Sequence, residues 1–156
     1  MWNRLIVIAG AVAVLVVVPV VVLAATSGGG SPLDHQRFAW RTGDITTTST
    51  TLHNVPGLSA LVCARGAVSA AVSVTAEGAP FALTVRLDDG PQLRPGTVQF
   101  TGGRNDSKAY TWVGGVGPFE ANDNHAFAVQ WKSVTGGPVT IHKATFDLLY
   151  KRGTQC

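Results

Sequence analysis

Charge is scarce in this sequence, and charge of one sign is nowhere concentrated. Asp, Glu, Lys and Arg make up 13% of the 156 residues, 12 basic against 9 acidic, for a formal net charge of +3. Apart from Arg4, the basic residues are scattered singly or in pairs between Arg37 and Arg152. The stripe of Lys and Arg that neutralises phosphates is missing, so no nucleic acid is expected as a partner. Cysteine is nearly absent too. Cys63 and Cys156 are the only two, far apart in sequence, and the histidines His35, His53, His125 and His142 include no pair two or four residues apart. Neither residue type offers metal-ligand spacing, so no metal or other cofactor is expected. Also lacking are Gly-x-Ser-x-Gly, His-Glu-x-x-His and Gly-x-x-x-x-Gly-Lys-Ser/Thr. A nucleophile elbow, a zinc-protease helix and a phosphate-cradling loop are thereby set aside, and the chain reads as non-enzymatic. No heptad and no internal repeat is present, which sets aside coiled coils and solenoids.

What the chain has first is an apolar run. Leu5 to Ala25 carries no charge over 21 residues. As a helix rising about 1.5 Å per residue it reaches roughly 32 Å, enough for a hydrocarbon core of about 30 Å. Arg4 precedes it, and positive charge on that side sends everything after Ala25 outward. Residues 1-25 therefore read as a signal peptide or a single-pass membrane anchor. Pro19 and the small residues that follow suit a cleaved signal, whereas the full-length span suits an anchor that contacts the membrane through residues 5-25. Residues 26-34 include Thr26-Ser27-Gly28-Gly29-Gly30-Ser31-Pro32, the composition of a flexible linker. Residues 35-156 remain as one domain.

In that domain apolar residues alternate with polar ones at the period of a strand. Val68, Ala70, Val72 and Val74 share one parity; so do Phe81, Leu83, Val85 and Leu87, and so do Phe127, Val129 and Trp131. Turn chemistry separates the runs at Glu77-Gly78-Ala79-Pro80, Asp88-Asp89-Gly90-Pro91 and Thr135-Gly136-Gly137-Pro138. After the last of these, Val139 and Ile141 lie on odd parity but Ala144, Phe146, Leu148 and Tyr150 on even. A one-residue slip exchanges the faces of a strand, so a bulge is expected at His142 or Lys143. His125 to Tyr150 reads as the central hairpin. The expected fold is all-β: an antiparallel two-sheet sandwich, jelly-roll-like, of about eight strands, preceded by an N-terminal hydrophobic helix. A seven-stranded immunoglobulin-like sandwich is the alternative, although its Cys-Trp-Cys arrangement is missing because the second cysteine is the last residue.

Three segments carry a resemblance. Asn124-His125-x-Phe127-x-Val129-Gln130-Trp131, a Gly-Gly turn, Val139-x-Ile141 and a closing Leu148-Leu149-Tyr150 form the first. Asn54-Val55-Pro56-Gly57-Leu58 and Pro95-Gly96-x-Val98-x-Phe100 are the others. Together they make most of residues 37 to 150 resemble small jelly-roll β-sandwich domains of secreted bacterial proteins and phage tail components. The resemblance implies architecture and brings no catalytic residues with it.

A binding function would lie with the aromatics. Trp131 shares the parity of its apolar neighbours and reads as core, while Trp40, Tyr110 and Trp112 are candidates to contact a ligand, since a flat exposed ring can stack on a sugar; core packing is the competing reading for all three. His125 and His142 would approach one another across the hairpin, and Asn122-Asp123-Asn124 with Glu120 offers oxygens to calcium, but a strand-end histidine and a polar turn account for both. In an exported chain Cys63 and Cys156 are expected to form a disulfide, the alternative being a buried Cys63 and a terminal Cys156 that pairs between chains. The expectation is an exported module of the cell envelope or extracellular space that binds or adheres to a protein or carbohydrate ligand. The alternatives are a structural subunit that oligomerises through a sandwich face and a secreted hydrolase; the oligomeric state is left open.

Overall fold

The computed structural model describes residues 33–88, 90–117 and 124–156. The hydrophobic helix expected within residues 1-25 lies outside them. Among the described residues every regular element is a strand, and no helix is long and apolar enough to cross a membrane. The strands are β1 (His35–Thr47), β2 (His53–Gly78), β3 (Phe81–Leu87), β4 (Val98–Phe100), β5 (Gly103–Val116), β6 (Asn124–Ser133) and β7 (Val139–Arg152), and all their pairings are antiparallel.

Seven strands stand where about eight were expected, and two of them run on through irregularities. Gly43, at φ 94°, and Asp44 shift the register of β1 against β7 without ending it. Gly66, at φ 79°, lies where β2 shifts register between Ala64 and Val68 and then runs on. Glycine supplies the left-handed backbone that both shifts need.

β2 holds the architecture together. Its 26 residues serve two ladders in succession. From His53 to Cys63 it pairs with β6, giving the order β2-β6-β3-β4; from Ala64 to Gly78 it lies between β7 and β5, giving β1-β7-β2-β5. Alternation in both ladders feeds one core. Val68, Val72, Ile141, Phe146 and Leu148 of the second ladder fall in the same buried cluster as Leu83, Val85, Phe127, Val129 and Trp131 of the first. The fold is therefore sandwich-like. Each such side chain contributes about 1.5–3 kcal/mol on full burial. Arg41 adds a polar clasp, since its guanidinium donates to the carbonyl of Pro56 at 2.9 Å, across from one ladder to the other.

His125 to Tyr150 is not a hairpin. β6 and β7 form no ladder with each other, and each pairs instead with a different half of β2. The turn at Thr135 to Pro138 carries the chain from one ladder to the other. Alternation reports which face of a strand is buried, and strands from opposite ladders bury their faces in one core as well as neighbours do. The bulge is where the parity change placed it. Thr75 pairs with Lys143 and Ala76 with Ile141, leaving His142 as the additional residue of β7.

Candidate binding surface

The outer face of the β1-β7-β2-β5 ladder is built from four rows that cross it strand by strand. They are Gln36, Leu149, Ser69 and Val113; Phe38, Asp147, Ala71 and Thr111; Trp40, Thr145, Ser73 and Ala109; and Thr42, Lys143, Thr75 and Ser107. The intervening rows face the core, as Ala39, Phe146, Val72 and Tyr110 illustrate. Side-chain size varies across the outer face. β2 and β5 contribute small residues, whereas β1 raises Phe38 and Trp40 along one margin, 53% and 64% exposed. Beside Phe38 lies a shallow depression of about 510 Å³ lined by Phe38, Ala71, Val72, Ser73, Ala109, Tyr110, Thr111, Thr145 and Asp147. Gln36 donates its Nε2 hydrogens to both carboxylate oxygens of Asp147, at 2.7 and 2.8 Å, and so sets the orientation of that acid.

The three aromatics singled out in the sequence do not converge. Trp40 stands on this open face. Tyr110 belongs to a core-facing row of the edge strand β5, is 40% exposed, and borders the depression. It meets Trp112 edge-on, with ring centroids 5.1 Å apart. Trp112 is no ligand contact. It is 0% exposed, and its indole Nε1 donates to the carbonyl of Gly96 at 2.7 Å, an oxygen that also accepts from the Thr84 hydroxyl. Phe38, Leu149 and Val113 are the members of the open face that the sequence reading passed over. Phe38 had a signal, since it shares parity with Trp40 two residues away.

The histidines stay apart: His35, His125 and His142 each meet a carboxylate, whereas the Nδ1 of His53 lies 3.1 Å from the Thr51 carbonyl oxygen. His125 is buried, donates from Nδ1 to Asp88 at 2.8 Å, and leaves Nε2 enclosed with no partner among the described residues. The other oxygen of Asp88 accepts the Ala126 amide at 2.7 Å, so this acid ties the end of β3 to β6. His142 donates from Nδ1 to Asp44 at 2.7 Å, and its Nε2 lies 3.6 Å from Glu77. Beside that pair a cleft of about 480 Å³ is lined by Glu77, Gly78, Gly103, Arg104, Pro138 and Thr140. Among the described residues no group of three or more His, Cys, Asp or Glu side chains could hold a metal ion. Glu120, Asn122 and Asp123, considered above for calcium, lie outside the described residues.

Cys63 and Cys156 form a disulfide, with Cα atoms 5.9 Å apart across a separation of 93 residues. It sits where β2 leaves one ladder for the other, and the amide of Gly153 donates to the Cys63 carbonyl at 3.0 Å beside it. A bonded pair of this kind fits an oxidising environment.

No family model and no curated protein matches the chain. Among solved structures it is similar to a family two carbohydrate esterase from Cellvibrio japonicus, with a TM-score of 0.24 and 10% identity over 78% of this chain. The match spans 36% of the esterase.

Proposed function

We propose that this chain is an exported, non-enzymatic binding module of the cell envelope or extracellular space, of jelly-roll type, which holds its ligand on the outer face of the β1-β7-β2-β5 ladder. One observation carries the proposal: Phe38 and Trp40 stand side by side with more than half of their surface in water. Large aromatics are normally well buried, and leaving two exposed forgoes roughly 1.5–3 kcal/mol apiece, a cost that a partner covering them would recover. Export is supported by the disulfide and by the uncharged run from Leu5 to Ala25.

A second reading, a structural subunit that self-associates through this face, draws on Val113 and Leu149, which are exposed on the same side and extend the apolar patch. The test is co-sedimentation of the full chain with envelope preparations from its own host, set beside Trp40→Ala. Binding that the substitution abolishes supports the module. Equal sedimentation of the two proteins would assign any envelope association to another part of the chain.

A further inference from the structure

We infer that the ligand of this face is an uncharged polysaccharide, whose sugar rings stack on Trp40 and Phe38 while its hydroxyls meet the Ser, Thr and Asp side chains beside them. The inference rests on the binding face proposed above and identifies its occupant. Residues two apart on a strand lie about 6.6–6.8 Å from each other on the same side. Trp40 and Phe38 therefore offer two platforms in line, a spacing suited to successive rings of an extended glycan. The apolar face of a sugar ring stacks on an aromatic one, and exposed aromatics that end beside polar groups serve ligands of this mixed character.

The rest of the face agrees with a sugar chain in shape and in chemistry. Ala71 and Ala109 rise too little to obstruct a chain lying flat across the depression. Ser73, Thr111 and Thr145 line it with hydroxyls, each both donor and acceptor, as sugar hydroxyls are. Asp147, held by Gln36, adds a fixed acceptor of the kind that selects one hydroxyl orientation.

Charge and size argue against other occupants. Lys143 and Asp147 are the only charged side chains in the four rows, and they cancel. An acidic polymer, a nucleic acid or an anionic lipid surface would need a cluster of cations here. Four strands about 4.8 Å apart, taken over seven residues of about 3.3 Å, cover on the order of 450 Å². A stable protein interface of standard size needs about 800 Å² from each partner. The flat area of these rows is little more than half that figure, and it is ample for a few sugar rings.

The experiment is affinity electrophoresis of the full chain, in mild detergent, through native gels containing hydroxyethylcellulose, xyloglucan, galactomannan, arabinogalactan or glycogen, with polygalacturonate as the acidic control. At least one neutral glycan should retard the wild type while polygalacturonate does not. Trp40→Ala should weaken that retardation at least tenfold, Phe38→Ala should weaken it less, and Trp40→Tyr should restore most of it. Unchanged thermal unfolding of the variants would show that a binding platform and not the fold was removed. Absence of retardation by every neutral glycan, or retardation that Trp40→Ala leaves intact, overturns the inference. If the glycans fail and light scattering finds a dimer that Trp40→Ala dissolves, the face is an interface between copies. If the glycans fail and envelope co-sedimentation still depends on Trp40, the binding face stands with a different ligand.

Discussion

The Nδ1 of His142 donates a 2.7 Å hydrogen bond to Asp44 at the place where β7 carries one residue more than β2 and β1 carries one more than β7. The two irregularities bring together side chains that regular strands would have kept apart. Glu77 closes the other side of the ring, 3.6 Å from Nε2. The hydrogen bond to Asp44 is the main cause that lifts the His142 pKa above its ordinary 6.5; partial burial opposes it, and the charges of Asp44 and Glu77 add to it.

A histidine whose pKa is raised by folding stabilises the fold while it is protonated in both states. That contribution is complete below about 6.5, the unfolded value, and is lost as pH rises through the higher folded value. Thermal unfolding should therefore show a midpoint that declines as pH climbs past neutrality. His142→Ala should remove this part of the decline, and Asp44→Asn should reduce it. Superimposable pH profiles for wild type and His142→Ala would contradict the assignment.

Trp131 is nearly fully buried between the ladders, with the His53 ring 5.6 Å from its own. Trp131→Ala should open a cavity and cost about 3–5 kcal/mol, a large part of the roughly 5–15 kcal/mol by which such domains are stable. Urea unfolding measures it directly. The indole Nε1 has no partner among the described residues, so Trp131→Phe should lose volume without breaking a hydrogen bond and cost clearly less. A loss below about 1 kcal/mol for the alanine variant would show that Trp131 does not fill the core.

Closing the 93-residue loop between Cys63 and Cys156 should stabilise the domain by up to about 4–5 kcal/mol through the entropy it removes from the unfolded chain. Protein isolated without reductant should show no free thiol after denaturation. Cys156→Ser and reduction of the wild type should lower the denaturation midpoint by similar amounts. Two free thiols per chain, or a gel-shift dimer that reductant collapses, would contradict the intramolecular bond.

Faces were legible in the sequence because alternation reports burial residue by residue. The inward set of β2, the core position of Trp131 and the bulge at His142 all follow from parity alone. Neighbours were not legible. Nothing local distinguishes a β6 that pairs with β7 from one that joins the other ladder, and nothing local shows that the 26 residues of β2 serve two ladders. The aromatics divide in the same way. Tyr110 and Trp112 have one parity and one facing direction on the same edge strand, and Trp112 is the more buried because the segment from Arg94 to Gly96 lies against it, a neighbour that nothing local announces. Phe38 and Trp40 could be paired by spacing, but an outward face became apparent only once Ala39 was set against the core.

Because β2 belongs to both ladders, the domain lacks a seam along which one half could melt while the other persists. Pulling His53 to Cys63 away from β6 strains the same continuous backbone that holds β7 and β5 further along. Loss of order in either ladder is thus transmitted by the chain itself, and unfolding should be a single cooperative event. The slowest-exchanging amide protons of β2, those bonded to β6 at one end and those bonded to β7 or β5 at the other, should then report one shared opening energy.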